Sequence, residues 1–143
     1  MTTLASILFV VLASIAILHG YWGFDGSWPA QTSSALAQTV VGTAVMPSSR
    51  ACFIAASAIA ATAIWPLFLV HAIATPWPAW LTLLGGGFFV VVFLGRGLAG
   101  YHPAWRDTHR LEPFAHYDRF FYSPLCLILG AAYMVLLLAG FRS

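Results

Sequence analysis

Four long apolar runs restrict the fold of this chain more than any other feature. A spanning helix needs about 20 largely apolar residues, because each adds 1.5 Å across a hydrocarbon core about 30 Å thick. Residues 4–21, 51–75, 80–98 and 124–141 supply four such runs. In lipid only helices and closed barrels satisfy the backbone internally. A barrel would need alternating segments of about ten residues, and these runs do not alternate. The sequence therefore predicts an all-α polytopic membrane protein, one domain over 1–143, with four transmembrane helices in an antiparallel bundle. Glu112-Pro113 and the aromatic, charged run after them predict a short interfacial helix before the fourth span.

With 61% hydrophobic and 7% charged residues, the chain is unlike soluble domains, where about a quarter of residues are charged. Lysine is absent, so the net charge of +2 comes from arginine. That is too little for a nucleic-acid partner, which requires a clustered basic surface. Cys52 and Cys126 lack C-x-x-C or Cys/His spacing and are read as small buried hydrophobes. No metal site is expected, and no cofactor. The N-terminal run has neither a basic leader nor a small-residue cleavage site, and is expected to remain as a helix.

The ionisable side chains are unevenly placed. In an antiparallel four-helix array the first and third connections share one side of the bilayer. Those connections and the adjoining helix ends hold every Arg, His, Asp and Glu except His71 and Arg142. The protein is expected to work at this charged end. By the positive-inside rule that end is expected to be cytoplasmic. The second connection, Thr75-Pro76-Trp77-Pro78, is a tight turn that puts Trp77 and Trp80 at the other interface. His71 lies near that boundary and is read as a snorkelling or capping group.

Within the spans, Ala56/Ala60 and Ser57/Ala61 are small pairs that let backbones approach, since lipid provides no hydrophobic drive between helices. Pro66 lacks the N–H that would reach the Thr62 carbonyl and should kink its helix. Ser123 is read as an N-cap with Pro124 at the first helical position. An amphipathic turn is expected near residues 35–41.

Three constellations could carry chemistry. His19-Gly20-Tyr21-Trp22 leads into Trp28-Pro29, Arg96 sits between Gly95 and Gly97, and His116-Tyr117-Asp118-Arg119 leads into Tyr122-Ser123-Pro124-Leu125-Cys126. An imidazole in the last turn of an apolar helix costs desolvation unless it is bonded. His19 is thus either an acid/base or ligand contact, or a histidine bonded to Asp118, Arg119 or Tyr122. Asp118 beside arginines could orient a histidine for proton transfer, or belong to a salt-bridge lattice holding the segment at the headgroups. Arg96 could bind a lipid phosphate or ligand carboxylate, or simply snorkel. Trp22, Trp28 and Trp105 could wall a pocket or form an interfacial belt.

The His-x-Tyr-Trp and Trp-Pro elements, with Asp-Arg-x-x-Tyr-Ser-Pro-Leu-Cys, resemble a bacterial family of small four-helix membrane proteins catalogued as domain of unknown function 3995. The resemblance covers essentially the whole chain and implies an architecture without an activity. The leading expectation is a membrane module whose charged, aromatic face binds a lipid-like amphiphile or a partner protein through Tyr21, Trp22, Trp28, Arg96, Arg119 and Tyr122. One alternative is an intramembrane enzyme with His19, His116 and Asp118 as proton-transfer groups. The other is an accessory subunit of a larger membrane complex.

Overall fold

The computed structural model describes residues 1–141; Arg142, assigned above to the sparsely charged end, lies outside the described residues. The regular elements of the described residues are all helices: α1 (Thr2–Gly23), α2 (Ser33–Val40), α3 (Ser49–Leu69), α4 (Ala79–Ala99), α5 (Pro103–Thr108), α6 (Phe114–Tyr117) and α7 (Ser123–Gly140). Four segments have membrane-spanning length and apolarity: α1, α3, α4 and the continuous stretch Phe114–Gly140. A π-helical turn, Asp118–Tyr122, joins α6 to α7. The short helix before the fourth span is therefore present, but it runs into that span without a break. Ser123 is accordingly not an N-cap; its hydroxyl is used elsewhere.

Packing is pairwise. α1 lies along α3 and α4 along α7, and the two pairs meet more sparingly. The buried residues of α1, Ala5, Leu8, Leu12 and Ala16, recur every three or four positions, which makes one stripe on a 3.6-residue helix. Ala5, Leu8 and Leu12 share a core with Ala63, Val90, Leu129 and Leu136. Of the small pairs in α3, Ala56 and Ala60 are half-buried, whereas Ser57 and Ala61 are exposed. Glycine brings α4 and α7 together: a Cβ at Gly97 would lie 2.7 Å from Leu127 Cγ, and one at Gly130 would lie 2.7 Å from Leu94 Cδ2.

Pro66 leaves the Thr62 carbonyl without its usual donor four residues on. Tyr133 of α7, fully buried, donates its hydroxyl to that carbonyl. Lipid cannot satisfy a freed backbone group, so the helix break is answered by a side chain from the neighbouring pair. Trp65 ties α3 to α4 by donating from Nε1 to the Thr82 carbonyl at 2.9 Å.

The second apolar run ends its helix early. α3 stops at Leu69 rather than at residue 75, and His71 follows with φ of 55°. Trp77 also departs from expectation. It turns inward, stacks on Trp65 at 5.7 Å and donates to Thr82 Oγ1 at 2.9 Å, leaving Trp80 exposed at the boundary.

Candidate functional site

Asp118 is the polar centre of the charged end. It is 3% exposed, and burying a carboxylate is costly unless it is paired and hydrogen-bonded. Three elements supply donors. Arg96, from the last turn of α4, donates from Nη2 to Oδ1 at 2.5 Å. Trp105, from α5, donates from Nε1 to Oδ2 at 2.9 Å. Ser123 donates from Oγ to Oδ1 at 3.3 Å.

The π-helical turn brings Ser123 into place. Widening the helix to five residues per hydrogen bond lets the Ser123 N–H reach the Asp118 carbonyl, which also sets Ser123 over Asp118. Arg96 lies 4.6 Å from the centre of the Trp105 ring, so its guanidinium meets a carboxylate and an aromatic face together. Gly100 makes the knot possible, because a Cβ there would collide with Ser123 Oγ.

The knot continues outward. Trp105 stacks on His109 at 3.9 Å, and His109 packs towards Phe114 and from there to Tyr122. Tyr122 donates its hydroxyl to the Thr39 carbonyl of α2 at 3.0 Å. The first and third connections therefore meet at one end, as an antiparallel array requires.

The histidines do not join this knot. His19 donates from Nδ1 to the Ile15 carbonyl one turn back in α1, at 2.8 Å, and its ring packs on Trp22 at 4.9 Å. The expected bond from His19 to Asp118, Arg119 or Tyr122 is not formed. Local satisfaction removes the need for a long-range partner: the carbonyl four residues back in the same helix lies within reach of the imidazole, as it does for serine and threonine hydroxyls in helices. His116 is exposed and packs against Tyr117 and Phe120. His19, His116 and Asp118 share no hydrogen bond among the described residues. Arg119 lies over the ring of Phe120 at 5.4 Å. No group of three His, Cys, Asp or Glu side chains among the described residues is arranged to hold a metal ion.

The aromatics of the first connection divide between two hollows. Tyr21 and Trp28 line an open groove of about 680 Å³ together with Ser14, Ile15, Ile17 and Leu18 of α1. Trp22 and Asp25 line a smaller one of about 270 Å³ beside the start of α3. Trp22 itself is buried and donates to the Trp28 carbonyl at 2.8 Å, which fixes the roof of the larger groove. Neither the Tyr21 hydroxyl nor the Trp28 indole N–H has a partner among the described residues.

The residues that sequence reasoning undervalued are Trp105, Ser123 and Gly100. Trp105 was legible only as an interfacial aromatic and Ser123 only as a cap. Nothing local marks Gly100, just after α4, as a position where a side chain would meet Ser123 and Asp118.

The chain belongs to the family described as protein of unknown function (DUF3995), whose profile matches residues 12–133. No curated protein and no solved structure matches it.

Proposed function

We propose that the protein is a non-catalytic membrane module that holds the hydrocarbon chain of a lipid-like amphiphile in the groove along α1. The observation that carries this reading is the groove itself. Its volume of about 680 Å³ falls within the roughly 300–1,000 Å³ of small-molecule sites. Its lining is mostly apolar, and one end of this open groove presents two uncommitted donors, Tyr21 O–H and Trp28 N–H. Those donors suit an acceptor such as an ester carbonyl, while the chain of the amphiphile lies along Ile15 and Leu18. The Asp118 knot supports the loops that shape this end and takes no part in binding.

The enzymatic reading has less support. Both carboxylate oxygens of Asp118 are occupied by internal donors, so a substrate proton would have to displace one of them. Five arginines of the charged end favour its placement on the cytoplasmic side of a bacterial inner membrane.

The test is photo-crosslinking in nanodiscs with a phosphatidylethanolamine that carries a diazirine in one acyl chain. Labelling should concentrate on residues 14–28 in the natural protein. It should fall several-fold there in Ser14→Trp, which fills the groove from an exposed position. Even labelling of all four spans, unchanged by Ser14→Trp, would overturn the proposal.

A further inference from the structure

The opposite end of the bundle carries a second hollow. α3 ends with the His71 N–H bonded to the Phe68 carbonyl at 3.1 Å and the Ala72 N–H bonded to the Leu67 carbonyl at 2.9 Å. This paired termination ordinarily takes glycine in its left-handed position. Here that position is His71, at φ of 55°. Glycine would adopt this backbone more readily, although histidine is one of the side chains enriched there.

His71 lines a cavity of about 340 Å³ together with Phe68, Leu69, Ile73, Thr82 and Leu83. At about 30 Å³ per water, that is the liquid volume of roughly eleven waters: room for a ring, but not for a whole lipid. The imidazole has no hydrogen-bond partner among the described residues. Thr82 is 6% exposed, and its Oγ1 accepts from Trp77 Nε1. The Thr82 hydroxyl proton meets no acceptor among the described residues. Two donors, the exposed His71 at the end of α3 and the buried Thr82 in the first turn of α4, thus line the cavity, together with Thr75 and with no carboxylate.

We propose that this cavity binds the head of a neutral, ring-shaped amphiphile with carbonyl oxygens, of the quinone type. The His71 ring N–H and the Thr82 hydroxyl donate to those oxygens, and the alkyl tail remains in the bilayer. Phe68 forms one wall and packs on Trp77 at 5.1 Å and Trp65 at 5.8 Å, so indole fluorescence reports on occupancy. The site is independent of the α1 groove.

The experiment titrates a decyl-substituted benzoquinone into the protein in nanodiscs and follows tryptophan quenching. The natural protein should show a saturable phase. His71→Gly, which relieves the left-handed backbone, should weaken that phase at least tenfold while Tm holds or rises. His71→Asn, which tolerates the same backbone and keeps a donor, should recover part of the affinity. Ala79→Phe fills the cavity from an exposed position and should abolish the saturable phase whatever His71→Gly does to folding. Quenching that is purely proportional to quinone concentration in the natural protein would overturn the proposal. So would an equal saturable phase in Ala79→Phe.

Discussion

Asp118 and His71 sit at opposite ends of the bundle, in opposite circumstances. Asp118 lies in the region richest in charge and is buried among Arg96, Trp105 and Ser123, which occupy both its oxygens. His71 is the one ionisable side chain described at the sparsely charged end, and it faces a cavity without a partner. A high density of charged residues therefore marks where the chain needs electrostatic support for long connections. Uncommitted donors beside a hollow mark where a ligand can be recognised. The first connection repeats the contrast: Trp22 is consumed in holding Trp28, and Trp28 is left free to meet something else.

Substitutions can break this comparison. The largest effect is expected from Arg96→Met, which leaves a buried carboxylate without its cation. Loss of one partner from a buried pair typically costs about 3–5 kcal/mol, so thermal unfolding in detergent should fall by many degrees. A change of less than one degree would mean that Asp118 is not held as described. Tyr133→Phe should cost about 1–3 kcal/mol, the penalty of leaving a buried acceptor unsatisfied. The acceptor here is the Thr62 carbonyl that Pro66 cannot reach, so restoring a backbone donor with Pro66→Ala should suppress part of the loss. Failure of that suppression would separate Tyr133 from Pro66.

The smallest effect sharpens the comparison from the other side. Arg110 and Asp107 form an ion pair at 2.6 Å, but their side chains are 74% and 66% exposed. Exposed pairs contribute about 0–1 kcal/mol. Asp107→Asn should therefore leave unfolding nearly unchanged, although the same charge type is removed as at Asp118. A large loss there would show that charge at this end acts collectively rather than through one buried knot.

The four spans were legible because apolar length alone distinguishes a membrane helix. Their ends were less so. Residues 70–75 are apolar apart from His71 and Thr75 although α3 has already stopped, and the stop uses histidine where glycine would have announced it. The π-helical turn was illegible for a related reason: Asp118 and Ser123 look unrelated at a spacing of five until the helix widens to superimpose them. The sequence did suggest a lattice of Asp118 with arginines, and Arg96 fulfils it. It could not show that Trp105 completes that lattice or that His19 would be satisfied within α1. Which donors remain free depends on how every other donor has been used, and that is decided in three dimensions.

The central claim is that the charged end is held by mutual satisfaction of Arg96 and Asp118. A double-mutant cycle of Arg96→Met and Asp118→Leu, read by unfolding in detergent, tests it most directly. The account predicts that each single change is severe and that the double change is less severe than their sum by about 2 kcal/mol or more, since contacting residues couple by roughly 0.5–3 kcal/mol. Losses that add to within about 0.5 kcal/mol, as they do for distant sites, would contradict it.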